Sequence, residues 1–484
     1  MSANPVTPNM NADLFIDGAW VRGNAGNRPN VDPGDGSTVG AVSMADFDQV
    51  QAAIAAASKA FPAWSTMLAS SRGEILKTAA RLLEHRLDEA AATILLETGK
   101  TQADARGEIL RSIQTLAWNG EHAGRVQGTI FPGIAPGSTR RSTPTPLGVV
   151  AAITAWNFPA VLITRKLGAA LAAGCTVVLK ASDFCPATAR LIMDVLIDAG
   201  LPAGVVNLVF GDSAAVSEQI LAAPEVKALT FTGSTAVGKR LAELAAPNLI
   251  RPVMELGGHA PVIVWEDADI EHVIATTAPA KFGSAGQSCV APSRYFVHES
   301  LYRDFVEALV KKAESYTLGH GNEEGTTMGA VAHQGRIDAL AHLVQDARDK
   351  GATVEAGGET LDRPGFYFQP TVLSDVPAEA DIMTEEPFGP LCAVVPFSDL
   401  DDAITQANAA PYSFAAYLFT DTISVRNTVV AKLNASNIGV NQTAPSLPDV
   451  PLGGLGNSGY GYEGGLEGIL AFTQLRLVSE TAHA

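Results

Sequence analysis

The stretch that decides the fold is residues 147–180, LGVVAAITAWNFPAVLITRKLGAALAAGCTVVLK. It starts with the apolar, β-branched run Val149–Trp156, which is typical of a buried strand, and continues with the helical pattern Ile163–Gly174. A second apolar strand, Thr176–Lys180, follows directly. Strands that are apolar throughout, joined by a helix, predict a parallel βαβ unit whose sheet is covered on both faces.

The same alternation continues to Gly258. It predicts strands at Val205–Phe210, Val226–Thr232 and Arg251–Leu256 and helices at Pro186–Ala199, Ala214–Ala222 and Thr235–Ala245. A second α/β series extends from Pro261 to about Asn441. Because dinucleotides bind beyond the carboxyl ends of such parallel strands, the pattern favours a nucleotide-binding α/β protein.

The flanks of this region have a different character. Asp46–Arg111 shows the apolar spacing of helices, whereas Gly120–Pro146 is rich in Gly, Pro, Thr and Arg. The latter predicts an extended excursion, which is either a linker to a second domain or a hairpin arm. The short strand pattern of Leu475–Glu480 could pair with such an arm.

The composition limits the class of protein. Of 484 residues, 47% are hydrophobic and 17% charged, so intrinsic disorder is excluded for most of the chain. This length predicts two or three domains with a large core, and the sparse charge indicates surface used in subunit contacts. With 33 Lys and Arg against 51 Asp and Glu, the net charge is −18, and nucleic acid is not an expected partner.

The cysteines and the apolar runs indicate in which cellular compartment the protein is expected. The four cysteines, Cys175, Cys185, Cys289 and Cys392, are too scattered for a disulfide framework or a zinc site, so no metal is expected. The N-terminus has no basic start and no apolar core of a signal peptide. Apolar runs are interrupted before about 18 residues, too early to span a membrane. We expect a soluble cytoplasmic protein.

Two glycine-rich segments resemble nucleotide motifs without meeting their requirements. Gly233–Lys239 matches most of a P-loop, but Arg240 stands where that loop needs a magnesium-binding Ser or Thr. Its strand-to-helix turn still offers a helix N-terminus suited to a pyrophosphate, with an ordinary helix cap as the alternative. Gly454–Gly459 is a formal GxGxxG, but no strand precedes it, and a surface loop is expected there.

Three positions could carry chemistry. Asp183, beyond the strand that ends at Lys180, could accept hydrogen bonds from an adenosine ribose or could be a turn residue. Cys289 has small, polar neighbours that leave a thiol accessible, whereas Cys175 has the apolar neighbours of a buried one. Glu255 ends an apolar strand beside two glycines, and a buried carboxylate can serve as a base near neutrality. The spacing does not show whether Cys289 and Glu255 meet.

From about Asp13 to Glu480 the chain resembles the aldehyde dehydrogenase superfamily. The resemblance rests on the order and separation of short motifs: Ala155-Trp-Asn-Phe-Pro159, Lys180, Phe231-Thr-Gly-Ser234, Glu255-Leu-Gly-Gly258, Gly286-Gln-Ser-Cys289, Glu385-Glu-Pro-Phe-Gly-Pro390 and Pro451-Leu-Gly-Gly454. It implies an α/β protein with a Rossmann-type NAD(P)-binding domain (1–127 and 147–257), a catalytic domain (258–457), and a β oligomerisation arm with the C-terminal segment (128–146 and 458–484).

The resemblance also implies catalytic roles. Cys289 would attack an aldehyde to form a thiohemiacetal, whose oxyanion the Asn157 amide and the Cys289 N–H would hold. Loss of hydride would leave a thioester, and Glu255 would activate the water that hydrolyses it. Lys166 and Glu463 match a proton relay behind Glu255.

The implied cofactor is NAD, with NADP as an alternative. Asp183 places a negative charge where a 2′-phosphate would lie, which disfavours NADP, while the neighbouring Lys180 opposes that effect. The matched positions are Lys180 and Asp183 for the adenosine ribose, Ser234 and Trp156 for the phosphates, Glu386 and Phe388 for the nicotinamide ribose and ring, and Thr154, Phe231, Gly233, Val237 and Leu256 around them.

Residues 163–174 are most similar to the succinate-semialdehyde dehydrogenase branch, in which the position of Arg165 binds the substrate carboxylate. Two other carboxylate-binding positions of that branch fall on Gly283 and Leu447, and the second cysteine of its redox switch falls on Ala291. The resemblance therefore predicts a carboxylate contact at Arg165 and no such switch.

The remaining substrate positions implied by the resemblance are Arg111 at the tunnel entrance and Phe158, Leu447 and Leu452 in its wall. Leu452 replaces a more usual Phe and leaves space for a bulkier or aromatic body. We expect an aldehyde with a distal carboxylate or comparable anionic group.

Three alternatives stay open. If Arg165 only makes a structural salt bridge, the substrate is a neutral aromatic or aliphatic aldehyde. A CoA-acylating enzyme would not need the base Glu255, and a non-catalytic binding protein would not need Asn157, Glu255, Cys289 and Glu386 together. The arm and the C-terminal strand predict a homo-oligomer, a dimer or a tetramer.

Overall fold

The computed structural model describes residues 8–443 and 446–481. Short strands come first and four helices follow: β1 Leu14–Ile16, β2 Ala19–Val21, β3 Asn27–Val31, β4 Thr38–Ser43, α1 Phe47–Thr66, α2 Ala69–His85, α3 Leu87–Thr98 and α4 Gln102–His122. The helices predicted over Asp46–Arg111 are confirmed. However, α4 continues to His122, so the excursion expected from Gly120 begins after that residue.

The predicted βαβ alternation follows. Its elements are β5 Thr129–Phe131, β6 Ser138–Pro146, β7 Val149–Ile153, α5 Pro159–Ala173, β8 Thr176–Lys180, α6 Pro186–Asp198, β9 Val206–Val209, α7 Ser213–Ala222, β10 Val226–Thr232, α8 Thr235–Ala245 and β11 Arg251–Glu255. Every residue of β7 and β8 is buried, as their uninterrupted apolar sequence predicts.

The second α/β series completes the chain. Its elements are β12 Ala260–Val264, α9 Ile270–Phe282, β13 Pro292–His298, α10 Tyr302–Glu314, α11 Gln334–Asp349, β14 Thr353–Ala356, β15 Thr371–Ser374, β16 Leu391–Phe397, α12 Leu400–Asn408, β17 Tyr412–Ser413, β18 Ala415–Phe419, α13 Ile423–Lys432, β19 Asn437–Val440, β20 Leu455–Gly456, β21 Gly459–Tyr460, α14 Gly465–Leu470 and β22 Thr473–Thr481.

Two large sheets organise the molecule. The first has the strand order β2-β1-β9-β8-β7-β10-β11-β21, and the five strands from β9 to β11 are parallel. The second has the order β14-β15-β16-β13-β12-β18-β19 and is parallel except for β14. Each sheet has its own hydrophobic core, and the cores change over between Leu256 and Ala260. The predicted α/β fold class is confirmed.

The glycine-rich segment near residue 454 departs from its predicted form. It was expected to be a surface loop, but Gly459–Tyr460 forms β21, an antiparallel edge strand beside β11. Gly459 has φ +115°, and a Cβ there would lie 1.8 Å from the Met254 carbonyl oxygen. A glycine is therefore what lets this strand approach β11, next to Glu255.

A three-stranded sheet extends from the body. The strand β22 pairs antiparallel with β6 along its whole length, from Thr473 opposite Pro146 to Thr481 opposite Ser138, and β5 pairs with the other side of β6. The predicted hairpin arm and its pairing with the C-terminal strand are therefore present. Ile130 is 81% exposed and Leu475 72% exposed on it. Among the residues described, no helix is both long and apolar enough to cross a bilayer.

Candidate active site

Most of the predicted site residues lie at one edge of the first sheet. Lys180 and Glu255 are the last residues of β8 and β11, while Thr154 and Gly233 immediately follow β7 and β10. These strands are parallel neighbours, so their carboxyl ends meet at the same edge. Tertiary structure thus joins positions as far apart in sequence as Thr154 and Glu255.

Cys289 lies in the loop before β13. It is partly exposed, whereas Cys175, Cys185 and Cys392 are buried, as its small, polar neighbours predicted. A Cβ on Gly258 would lie 2.0 Å from the Cys289 carbonyl oxygen, so that glycine is required for the loop to pass.

A cavity of about 290 Å³ reaches Cys289. Its lining includes the predicted residues Asn157, Glu255 and Glu463 together with Arg111, Phe158, Arg165 and Leu452. Cys289 and Glu255 therefore line the same cavity, which their separation in the sequence did not show.

Glu255 is a buried carboxyl group whose hydrogen-bonding capacity is unused among the described residues. Neither carboxylate oxygen has a hydrogen-bond partner among the residues that the structure describes. Burial raises its pKa well above the usual value, and Glu463 adds to this effect while Lys166 and Arg165 oppose it. Such a group binds a proton more tightly than an exposed carboxylate does, and in its ionised form it can take a proton from a neighbouring water or thiol.

Lys166 and Glu463 form a buried ion pair behind this carboxyl group. Lys166 Nζ lies 2.5 Å from Glu463 Oε1 and donates to Thr230 Oγ1 at 3.1 Å. The pair predicted from sequence as a proton relay is therefore in direct contact.

Asn157 and Cys289 supply the polar groups opposite Glu255. The Asn157 amide donates to the Gln287 carbonyl oxygen at 3.1 Å, which fixes its side chain and leaves its second N–H for another acceptor. Burial raises the pKa of the Cys289 thiol, Glu386 and Glu255 raise it further, and Arg165 opposes them. A thiol in this setting needs a base to become a nucleophile.

Arg165 lines the cavity one residue before Lys166 on α5. Its guanidinium donates to the Ser446 carbonyl oxygen at 2.9 Å and contacts the Ser446 hydroxyl, but its buried Nε has no partner among the described residues. Arg111 lies over the Phe158 ring, 5.8 Å from its centre. The cavity therefore has two guanidinium groups in its wall.

Lys180 and Asp183 are joined at the end of β8. Lys180 Nζ donates to Asp183 Oδ1 at 3.0 Å and to Ser213 Oγ at 2.9 Å. The second oxygen of Asp183 accepts from Arg28 Nη1 at 3.3 Å. Arg28, from β3, is a second cation beside Asp183 that sequence reasoning did not find.

The predicted phosphate-binding turn is a helix N-terminus. Ser234 caps α8, its hydroxyl accepting from the Val237 N–H at 3.4 Å, and Val237 is exposed on the first turn. Phe231 and Leu256 are buried beneath this turn. A capped helix start with open N–H groups suits a pyrophosphate.

Glu386 and Phe388 lie on the opposite side of the cleft. Glu386 accepts from the Gly258 N–H at 3.0 Å, and burial raises its pKa to about 7. Phe388 has φ +41°, a strained value for a residue with a side chain. Its ring meets the Trp156 ring edge-on at 5.6 Å. Carboxylate, aromatic edge and helix N-terminus together fit a dinucleotide.

One predicted substrate residue, Leu447, lies outside the lining of this cavity. Its neighbour Ser446 lines the cavity beside Arg165. Gln287, which stands in the Gly286–Cys289 motif, also contacts a predicted site residue. His333 and Arg28 do so as well, and no motif would have revealed them. Within the described ranges no cluster of His, Cys, Asp and Glu could hold a metal ion.

A cysteine, a buried carboxyl group and an amide donor line one cavity beside an edge that fits a dinucleotide, and these are the groups that an oxidoreductase with covalent chemistry on sulfur would need. The model of the aldehyde dehydrogenase family matches residues 20–478. The chain belongs to this family and is an NAD(P)-dependent aldehyde dehydrogenase. The resemblance inferred from the motifs is confirmed.

Relatives of known description agree with this assignment. The chain is 40% identical over 471 residues to the 4-(hydroxymethyl)benzenesulfonate dehydrogenase TsaD1 of Comamonas testosteroni, covering 97% of this chain and 98% of that protein. It is 38% identical over 463 residues to an NADP(+) succinate-semialdehyde dehydrogenase of Escherichia coli, covering 96% of each.

Solved structures show the same fold. The crystal structure of an E. coli NADP-dependent enzyme superposes with a TM-score of 0.96 at 37% identity, covering 98% of both chains. The crystal structure of PnpE in complex with nicotinamide adenine dinucleotide superposes with a TM-score of 0.95 at 35% identity, again covering 98% of both.

Proposed function

We propose that this enzyme oxidises an aldehyde bearing a distal carboxylate or comparable anionic group to the corresponding acid. The observation that carries the proposal is Arg165, which lines the same cavity as Cys289 and has a buried Nε without a partner among the described residues. A buried N–H donor without an acceptor is costly, and an anionic substrate would supply that acceptor.

The proposed residue roles are those that the family resemblance implies, and the cavity that these residues share supports them. Cys289, after losing its proton, attacks the aldehyde carbon and forms a thiohemiacetal. The oxyanion accepts hydrogen bonds from the Asn157 amide and the Cys289 N–H. The chemistry that bound NAD or NADP supplies is acceptance of the hydride from that carbon, which leaves a thioester on Cys289.

Hydrolysis completes the turnover. Glu255 takes a proton from water, whose oxygen attacks the thioester carbon. The carbon–sulfur bond then breaks, so that Cys289 leaves as the thiolate and the acid is released. Lys166 and Glu463 provide a route by which the proton leaves Glu255, because their buried pair adjoins it. A CoA-acylating reaction is disfavoured because it has no use for a buried base at this position.

The charges around the cavity support an anionic substrate. Asp104 also lines it, but its carboxylate already accepts from the Thr101 hydroxyl at 2.9 Å and the Ser284 N–H at 3.1 Å. Arg165 and Arg111 are therefore the charges toward which a substrate anion would be drawn. Leu452 in the wall leaves room for a bulky or aromatic body between the anion and the aldehyde.

The names of several relatives support the same chemistry. Those proteins are named for a benzenesulfonate, for succinate semialdehyde and for glutarate semialdehyde, each a compound with an anionic group. Two of the three names specify a semialdehyde.

Steady-state kinetics on a substrate panel test the proposal. The panel comprises succinate semialdehyde, a longer semialdehyde, a carboxylated benzaldehyde, benzaldehyde and a plain aliphatic aldehyde. We expect anionic aldehydes to have the highest kcat/KM, and Arg165→Ala to lower it by about 10- to 150-fold for them alone, the value of a lost charged hydrogen bond. The proposal of an anionic substrate would be contradicted if the wild-type enzyme had its highest kcat/KM with neutral aldehydes and Arg165→Ala left the ranking of kcat/KM unchanged.

We also propose that the arm of β5, β6 and β22 joins subunits into a dimer or tetramer, since it exposes large apolar side chains away from the body.

The division into a cofactor domain (1–127 and 147–257), a catalytic domain (258–457) and an arm (128–146 and 458–484) accords with the two cores. A cytoplasmic location agrees with the cysteine usage.

A further inference from the structure

A buried ion pair that the proposed mechanism does not use lies beneath the Asn157 segment. Lys100, between α3 and α4, contacts Glu108 of α4, and their side chains are 2% and 0% exposed. Lys100 Nζ also donates to the Asn157 carbonyl oxygen at 2.7 Å and lies 3.9 Å from the centre of the Phe158 ring. The ammonium group therefore fixes the backbone of the residue that carries the oxyanion donor.

The other carboxylate oxygen of Glu108 fixes the next residues. It accepts from the Ala160 N–H at 2.8 Å and the Val161 N–H at 3.4 Å, which are free donors at the start of α5. Phe158, the N-cap residue, provides no side-chain hydrogen bond to this helix start. One ion pair thus satisfies the polar backbone on both sides of Phe158.

We propose that Lys100 and Glu108 are positioning residues that hold the Asn157 amide in line with Cys289. Two charges removed from water give little net stability, and an apolar pair would fill the same space. Their charged hydrogen bonds instead fix the backbone from Asn157 to Val161 in one geometry. Because the inference rests on the proposed role of Asn157, that residue enters the test.

The chain contains a matched control in Glu97 of α3. Glu97 is also buried and also caps a helix that begins with proline, accepting from the Ala187 N–H at 2.6 Å and the Thr188 N–H at 2.8 Å of α6. Its hydrogen bonds are made with α6 and with Asn30, not with the Asn157 segment. Glu97→Gln therefore measures what neutralising a buried capping carboxylate costs by itself.

The experiment compares Lys100→Met, Glu108→Gln and Glu97→Gln in the full-length enzyme. At saturating cofactor we expect the first two to lower kcat by about 10- to 100-fold, the scale of a displaced catalytic group, and Glu97→Gln to stay within about two-fold of wild type. Alkylation of Cys289 by iodoacetamide and the Kd for NAD, from protein fluorescence, should stay near wild type in all three. Glu108→Gln keeps the volume and the acceptor for the Ala160 N–H, so it carries the test if Lys100→Met does not fold.

A double-mutant cycle with Asn157→Ala separates positioning from a general structural role. If Lys100 acts through Asn157, adding Lys100→Met to Asn157→Ala should lower kcat by less than about two-fold further. Three outcomes would overturn the inference. The first is a double variant in which the losses of kcat from Lys100→Met and Asn157→Ala multiply. The others are a wild-type kcat in Glu108→Gln, or a loss of kcat in Glu97→Gln equal to that in Glu108→Gln. A full kcat in Asn157→Ala itself would instead refute the oxyanion role on which the inference rests.

Discussion

Replacing Glu255 with Gln should leave one hydride transfer per subunit and then stop the enzyme at the thioester. The substitution is nearly isosteric, and because neither oxygen of Glu255 has a partner among the described residues, no native hydrogen bond is lost. The expected defect is therefore that of the missing base alone. General-base catalysis contributes about 10²- to 10⁴-fold, which corresponds to a barrier increase of about 2.7–5.4 kcal/mol for thioester hydrolysis.

Rapid mixing with excess cofactor and aldehyde, followed at the absorbance of the reduced nicotinamide, provides the assay. We expect a burst of about one equivalent per Cys289, followed by a steady state slowed by that factor. Alkylation of Cys289 by iodoacetamide at the wild-type rate would show that the nucleophile is intact. Full steady-state turnover would refute the assignment of Glu255 as the hydrolytic base. Loss of the burst together with slowed alkylation would show instead that Glu255 chiefly deprotonates Cys289.

Glu255→Gln should also change how the stability of the enzyme depends on pH. The pKa of Glu255 is raised in the folded state by burial, so its contribution to stability is fully present below its unfolded pKa of about 4.3 and is lost as the pH rises toward the folded pKa. Glutamine does not titrate. The Tm of Glu255→Gln relative to wild type should therefore rise between pH 5 and pH 8, and a difference that is constant across this range would contradict the burial argument.

Three further predictions concern the nucleophile, the cofactor and assembly. Cys289→Ala should abolish dehydrogenase activity and leave the Kd for NAD, measured by fluorescence, unchanged; residual turnover above background would refute the nucleophile. Arg28→Ala should weaken NADP binding by more than NAD binding, since Arg28 neutralises Asp183 beside the expected 2′-phosphate. Calorimetry with 2′,5′-ADP and 5′-AMP measures the affinity for ligands with and without that phosphate. Equal losses of affinity for the two ligands would contradict the role of Arg28. Sedimentation at micromolar concentration should show a dimer or tetramer, and Leu475→Asp on the exposed face of β22 should shift it toward monomer; a wild-type monomer would refute the role of the arm.

Local sequence patterns predicted much of the fold because buried parallel strands must be apolar throughout. Val149–Ile153 and Thr176–Lys180 have that pattern and form the centre of the first sheet. The arm and β22 were also predictable, since their polar, extended composition differs from the helices around them. The strands in the Gly454–Gly459 segment were not, because β20 and β21 have two residues each and depend on their neighbours β17 and β11 rather than on any local preference.

The sequence by itself determined the chemistry: which cysteine is accessible, which carboxylate ends a buried strand, and which motifs stand in family order. Only the tertiary structure decided which charged groups meet. Asp183 is paired by Arg28 from β3, Asn157 is held by Lys100 from the turn before α4, and Ser446 rather than Leu447 lies beside Arg165. The physical reason is that a side chain's type and local backbone are written in neighbouring residues, whereas a long-range ion pair arises only when packing brings two distant segments together and removes them from water.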